Sequence, residues 1–274
     1  MDRVFGQAAK LPHLPDVVME LERLTRADGV DDRLLARTVA KEPGVAAKVL
    51  RLANSSLYFR RGTVSSLEEA VRIVGISDFR TMVLASCAVA AFPKISKFDL
   101  KRHWTHAITT GNIARLSAGH AGTEHEDAFT AGLLHTVGVL LLHVTVPEEA
   151  QAIDQQVPAQ DFIGRVSAER EAFGFDHAEV GAELLRRWKI PEVICNAVRT
   201  FADTDQRSPI LPTAVRLGSS LATLSAQGLI AGPLLEAADS ELLERLRIDL
   251  PWFGRKLQTA LDSVDDVVSA LTSS

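Results

Sequence analysis

Apolar residues recur every three or four positions along this chain, and strict apolar–polar alternation is nearly absent. That periodicity predicts helices and no sheet. Val17–Arg26 carries such a stripe after Pro12 and Pro15. Asp31–Ala40 is a second, and Gly44–Asn54 a third, with Val45, Val49 and Leu52 on one face. Ser66-Leu67-Glu68-Glu69 reads as a capping box opening a helix that stops at Gly75. Ser77 is expected to cap the next helix, which runs through Ala91 and ends before Pro93. Asp99 starts a long helix to about Gly119. Glu126–Leu142 is the most apolar helix, leaving through an extended exit at His143–Pro147. Two short helices follow. A second capping box, Asp176-His177-Ala178-Glu179, leads to Trp188, and Pro191 suits the first turn of a helix to about Phe201. After a polar loop at 202–212, Thr213–Gln227, Leu235–Arg247 and Trp252–Leu271 complete the series, the last two separated by Pro251. Many short helices with short connections predict an all-α, multi-helix bundle.

Composition narrows this picture. Hydrophobic residues make up 46% of the 274-residue chain and charged residues 24%, a globular balance. The formal net charge of −5 argues against a nucleic-acid or anionic-membrane partner. Arg51, Arg60, Arg61, Arg72 and Arg80 cluster in sequence, but Glu68, Glu69 and Asp78 lie among them, so a solvated, ion-paired face accounts for them. Cys87 and Cys195 both sit in apolar helical stretches and read as core thiols of a reducing compartment. The N-terminal residues lack a signal-peptide core, so the expected location is cytoplasmic. Phe129–Val146 is long enough to resemble a membrane span. It is interrupted by His135, His143 and two glycines and lacks positive flanks, so it reads as a central buried helix.

His135 raises the question of chemistry, because GLLHTVG places a histidine inside an apolar helix. His106, His177 and, more weakly, His103 are further candidates. Taken singly, each is most simply a core histidine hydrogen-bonded to a neighbour. His120 and His125 flank a turn and read as surface residues. Taken together, their order resembles the HD superfamily of metal-dependent phosphohydrolases. LPHLPDVVMEL, KEPGVAAKVLRLANSSLYF, VSSLEEAVRIVGISDFRTMVLA, HWTHAITTGNIA, DAFTAGLLHTVGVLLL, EREAFGFDHAEVGAELLRRWKIPEVICNAV and ILPTAVRLGSSLA resemble, in that order, the HDOD family of that superfamily over about residues 8–225.

The resemblance implies a site. The superfamily's first metal histidine falls on His106 and the histidine of its adjacent pair on His135. The aspartate of that pair falls on Thr136, and the last aspartate on Ser219. His177 matches a histidine of the HDOD proteins and of the related HD-GYP phosphodiesterases. A hard divalent cation needs anionic oxygen ligands, which these positions no longer supply. The expectation is therefore no bound metal or other cofactor, no catalytic residue, and a ligand pocket lined by His106, His135, Thr136, His177 and Ser219. The implied role is a bacterial, non-catalytic signal-transduction module. It would act on a regulatory or signalling protein in trans, or bind a small-molecule or nucleotide ligand. The alternative is a metal-dependent phosphohydrolase or cyclic-nucleotide phosphodiesterase with an altered metal site, for instance a softer metal held by three histidines. Asn54, Ser55, Tyr58 and Phe59 form a polar-aromatic loop that is a candidate partner surface, although Asn54 and Ser55 also suit the turn leaving their helix.

The expected organisation is an HDOD domain at 1–225, made of an N-terminal helical part at about 1–92 and an HD-like bundle at about 98–225, followed by a helical tail at 226–274. In that tail Leu257, Leu261, Val264, Val268 and Leu271 form a heptad-like stripe expected to fold back on the chain's own helices rather than to serve as a dimer contact.

Overall fold

The computed structural model describes residues 1–7, 10–25, 31–58, 63–121, 125–158, 160–205 and 209–273. Among them the regular structure is all helix, in eighteen segments. The first six are α1 (Asp2–Phe5), α2 (Asp16–Thr25), α3 (Asp32–Ala40), α4 (Pro43–Ala53), α5 (Leu67–Val74) and α6 (Ile76–Ala90). Then come α7 (Leu100–His120), α8 (His125–Leu134), α9 (Val137–Thr145), α10 (Pro147–Gln156), α11 (Phe162–Phe173) and α12 (His177–Arg187). The last six are α13 (Glu192–Thr200), α14 (Ile210–Ser225), α15 (Ala231–Glu236), α16 (Ser240–Arg245), α17 (Leu250–Asp262) and α18 (Val264–Thr272).

The capping signals act where the sequence places them. Ser66 accepts from Glu69 N at 3.1 Å, Asp99 from Arg102 N at 2.9 Å, and Asp176 and Glu179 form a reciprocal box. Each satisfies an N–H that a helix start leaves open. Ser77 does not cap α6. Gly75, at φ 84°, turns the chain so sharply that the helix has already begun at Ile76; that backbone conformation favours glycine.

The chain forms two compact units, and neither is continuous in sequence. The small unit joins His13–Pro93 to Ser263–Ser274; the large unit joins Met1–Pro12 to Lys94–Asp262. The expected boundary near 92–98 falls at Pro93–Lys94, whereas none falls at 225. The first twelve residues go with the large unit, and the tail is shared between the units at Ser263. The tail's expected single helix is two, α17 and α18. Leu257, Val264, Val268 and Leu271 are all buried, so the stripe does fold back.

Within the small unit α18 packs on α4 and α6. Lys48 and Arg51 of α4 hold its end. Lys48 Nζ donates to Leu271 O, and Arg51 Nε and Nη2 donate to Ala270 O at 3.1 Å and Ser273 O at 2.9 Å. Cations are favoured at a helix C-terminus, where carbonyls lack partners. Arg51 thus has a structural use, and Arg33 of the same unit approaches Glu68 at 3.9 Å.

In the large unit α7 packs on α8 and α14, α9 on α12, and α17 on α7. Glycines bring these backbones into contact. A Cβ on Gly132 would lie 2.7 Å from Gly111 Cα, one on Gly218 2.6 Å from Thr110 O, and one on Gly138 only 1.9 Å from His177 O. The stretch His125–Thr145, apolar and long enough to cross a membrane by composition alone, lies almost wholly inside the core. The exit expected to be extended is instead helical through Thr145.

Candidate functional site

The predicted single helix through the GLLHTVG stretch is interrupted at His135 and Thr136, between α8 and α9. His135 Nδ1 donates to Gly132 O at 2.6 Å, the carbonyl that an unbroken helix would offer to the Thr136 N–H. A side chain entering the helical ladder is a sufficient cause for a kink. The kink turns His135 towards α14 and Thr136 towards the start of α7. His135 Nε2 meets Ser219 Oγ at 3.2 Å, and Thr136 Oγ1 meets His103 Nε2 at 3.3 Å.

His106, one turn along α7 from His103, lies with its ring centroid 5.6 Å from that of His135; its Nε2 is 3.2 Å from Thr223 Oγ1. That hydroxyl is within 2.7 Å of Gln160 O and 3.0 Å of Ser219 O, both acceptors, so it gives its proton to a carbonyl and accepts from the imidazole. His177 enters from the first residue of α12. Its ring Nδ1 and its backbone N–H both donate to Glu169 Oε2 at 2.7 Å. The structure thus gathers His106, His135, His177 and Ser219 around one centre and turns Thr136 aside to His103.

The centre is occupied by a phenyl ring. Phe162, at the start of α11, has its centroid 4.7 Å from His106, 5.8 Å from His103, 5.9 Å from His135 and 6.1 Å from His177. Phe201 closes the far side, 4.9 Å from His135 and 5.9 Å from His177. Consequently none of His106, His135, Thr136, His177 and Ser219 is more than 1% exposed. The expected open pocket lined by these five residues is sealed, because apolar rings fill the space between the imidazoles.

Burial sets the protonation of the cluster. It pushes the His135 pKa down to about 3, the Gly132 carbonyl opposing only in part. His103 and His106 are driven well below the ordinary imidazole range, first by burial and then by neighbouring histidines. Desolvation disfavours the charged ring, so these three are neutral at pH 7.

Charge lies beside the cluster, not in it. Glu169 is fully buried on α11. Burial alone would raise its pKa, but His177 and then Arg165 outweigh that, and the carboxyl stays ionised below its usual range. Arg165 Nε donates to Glu169 Oε1 at 2.6 Å and Nη1 to Asp154 Oδ1 at 2.5 Å. Asp154 is likewise held below the ordinary carboxylate range: burial opposes this, and hydrogen bonds from His143 and Arg165 prevail. His143 Nε2 reaches Asp154 Oδ2 and its Nδ1 reaches Val139 O, each at 2.8 Å. Each ring nitrogen of His143 thus faces an oxygen. The network His177–Glu169–Arg165–Asp154–His143 was not foreseen. Its one sequence signal is the i, i+3, i+7 set Phe162, Arg165 and Glu169, which puts an arginine and a glutamate on the buried face of a helix.

Next to the sealed cluster the large unit has an open cavity of about 170 Å³, walled in part by His103, Phe162 and Arg165. Among the described residues no group of three or more histidine, cysteine or acidic side chains is placed to hold a metal ion. His106 and His135, with the Thr136 and Ser219 hydroxyls, offer no negative charge, and Phe162 stands between the rings; a hard dication does not fit this donor set.

In the small unit, Asn54 fastens the turn after α4. Its Nδ2 donates to Leu50 O and Val64 O, and its Oδ1 accepts from Val64 N at 2.7 Å. Ser55 is buried, with its hydroxyl on Leu52 O, so it does not belong to an exposed partner surface. Tyr58 is half-buried, and Phe59 lies outside the described residues. Cys87 and Cys195 are buried free thiols, as their apolar context predicts, and burial pushes them up to about 12 and about 11.

The sequence profile of the HDOD domain matches residues 11–203. A provisionally assigned phosphohydrolase of Shewanella amazonensis SB2B is 25% identical, and its crystal structure superposes with a TM-score of 0.81 over 98% of each chain. An HDOD domain protein of unknown function from Geobacter sulfurreducens gives 0.73 at 23% identity over 93% of each chain. An uncharacterized protein of Treponema pallidum (strain Nichols) is 25% identical over 69% of this chain. The match spans 37% of that relative's own length.

Proposed function

The chain belongs to the HDOD domain family, and from that premise we propose that it is a non-catalytic regulatory module of signal transduction. It would work by binding a small ligand or a signalling protein in trans, not by hydrolysing a phosphate ester. One observation carries the reading: the four-histidine cluster is closed around the Phe162 ring, and among the described residues no group of three or more histidine, cysteine or acidic side chains is placed to hold a metal there. Metal-assisted phosphoester hydrolysis needs charge to hold the ion and an open position for water. Thr136 and Ser219 stand where the HD resemblance places aspartates. Their hydroxyls are instead bonded to His103 and His135. The one acid at the cluster, Glu169, is consumed by His177 and Arg165.

The test is metal content and activity measured together. Protein purified after growth without added metal is expected to hold well under one equivalent of iron, manganese, zinc or copper. It is also expected to leave a generic phosphodiester such as bis(p-nitrophenyl) phosphate intact with manganese supplied. A stoichiometric metal bound through His106 and His135, or metal-dependent turnover, would refute the reading. A complementary variant combines Thr136→Asp, Ser219→Asp and Phe162→Ala, restoring two acids and removing the ring between them. It should gain metal affinity over the parent. The hydrolytic reading draws support from the provisional assignment of the Shewanella amazonensis relative and from His177, whose buried Nε2 has no hydrogen-bond partner among the described residues.

A further inference from the structure

Four non-glycine residues among those described have a positive φ: Lys97, Gln160, Lys189 and Arg247. L-residues avoid that left-handed region, because Cβ crowds the backbone there. Lys189 and Arg247 have an ordinary reason for it. Each follows the end of a helix, α12 or α16, where the next N–H turns back to a helix carbonyl: Ile190 N to Leu185 O and Ile248 N to Leu243 O, each at 3.0 Å. Gln160, at φ 72°, ends no helix. It lies two residues before Phe162, in a turn closed by Asp161 N on Pro158 O at 3.1 Å. Non-glycine residues held in this region collect at switch regions and ligand clamps.

Gln160 is bonded to the histidine cluster. Its carbonyl accepts from Thr223 Oγ1 at 2.7 Å, and that hydroxyl in turn faces His106 Nε2 at 3.2 Å. The Phe162 ring is thus tied to the imidazoles twice, by packing among them and by a hydrogen-bonded chain that ends two residues before it. The ring also has somewhere else to go. Phe162 and Gln160 both line the neighbouring cavity of about 170 Å³, and a cavity of roughly 150 Å³ holds a benzene molecule. Phe98, Val139 and Val157 give that cavity apolar lining. On the cluster side, the His177 ring is flanked by Phe162 and Phe201. Its Nδ1 is fixed on Glu169, while its buried Nε2 has no hydrogen-bond partner among the described residues. Buried polar atoms are ordinarily satisfied, so this one points to a second state in which it is.

We propose that Phe162 is a gate on the histidine cluster: its ring swings from among the four imidazoles into the adjoining cavity, with Gln160 as the hinge and the Thr223 hydroxyl as the latch. The closed state holds one residue in a disfavoured conformation and leaves one nitrogen bare. The open state relieves both and gives up aromatic packing. Opening admits water or a small ligand to His177 Nε2, and anything that fills the cavity holds the gate shut. The opened centre still has Thr136 and Ser219 where acids would be, so the gate goes beyond the proposed function and does not depend on it.

The test is the rate at which diethyl pyrocarbonate acylates His177 in the whole chain at pH 7.5, resolved by peptide mass spectrometry. Thr223→Val keeps the shape of the side chain and removes the latch. His177 should then react at least about tenfold faster, the effect of one lost hydrogen bond with a donor left bare. Gln160→Gly takes up the left-handed backbone without crowding and should slow the reaction at least about threefold. Val157→Phe occupies the ring's destination and should slow it by a similar factor. Val4→Ala, on α1 and buried against α9, is the control for general loosening. Its rate should change only as far as its stability in urea does, whereas the change in Thr223→Val should exceed what its own stability accounts for. Reactivity that follows urea stability alone across the four variants would overturn the gate. An unslowed reaction in both Gln160→Gly and Val157→Phe would do the same, and that pair decides the matter if Thr223→Val does not fold. None of these readouts concerns metal content or hydrolysis, so the proposed function stands or falls separately.

Discussion

Acid should unfold this protein at an unusually mild pH, because three buried histidines must stay neutral for the large unit to pack. His103, His106 and His135 have folded-state pKa values far below the ordinary 6.5, with His135 at about 3. An unfolded chain takes up a proton at each near 6.5, so below that pH the unfolded state binds more protons than the folded one. The stabilisation is fully present above 6.5 and is lost as pH falls towards the folded values. At pH 5 His135 alone contributes about 2 kcal/mol of destabilisation, against a folding stability of roughly 5–15 kcal/mol, and His103 and His106 add to it in the same direction. The slope between pH 6 and 5 should exceed about 1.4 kcal/mol per pH unit, the linkage value for one proton. Glu169 and Asp154, held low by their hydrogen-bond partners, add to the loss only as pH falls into the carboxylate range. Urea titrations followed by circular dichroism at pH 7.5, 6.5, 5.5 and 5.0 give the curve directly. His135→Asn should lower the slope by about 1.4 kcal/mol per pH unit, the share of one proton. Stability that is flat or rising between pH 7.5 and 5.5 would refute the account, since it would require the rings to be charged or solvated in the folded state.

Other perturbations test the packing. Glu169→Gln strips the charge that Arg165 and His177 share, and breaking one side of a buried pair typically costs about 3–5 kcal/mol; a change below about 1 kcal/mol in urea unfolding would contradict the network. Gly138→Ala puts a methyl 1.9 Å from His177 O; the variant should be folded poorly or not at all, and a melting temperature within a few degrees of the parent would mean that α9 and α12 part easily. Ending the chain at Asp262 removes α18 and uncovers apolar surface on α4 and α6; proteolysis should then begin within His13–Pro93, and unchanged resistance there would show that the small unit does not need its last helix.

Helix existence was legible almost throughout, because a 3.6-residue stripe records which face is buried and the Ser66, Asp99 and Asp176 caps mark true starts. The capping reading failed at Ser77, where Gly75 had already made the turn. It also missed the short helix at Ala231–Glu236, which is too brief to show a period. The histidines were legible as candidates, and their order pointed to the family. Their environment was not. Nothing in the spacing of His103 and Thr136 says that the hydroxyl serves that ring, because the contact depends on the kink at His135. Phe162 is one phenylalanine among eleven, distinguished only by where α11 delivers it. Glu169 and Arg165 look like an ordinary surface i, i+4 pair until burial is known.

The division of the chain at Ser263 has a consequence for how the protein is made. A polypeptide leaves the ribosome from its N-terminus, so α2 to α6 emerge long before the helix that covers α4 and α6. The whole of the large unit from Lys94 to Asp262 is synthesised in between. During that interval the small unit has Lys48 and Arg51 waiting without their carbonyls and an apolar face open to solvent or to a chaperone. Its completion therefore waits until the chain from Lys94 to Asp262 has been made. A nascent chain stalled before Ser263 would display that face for as long as the stall lasts.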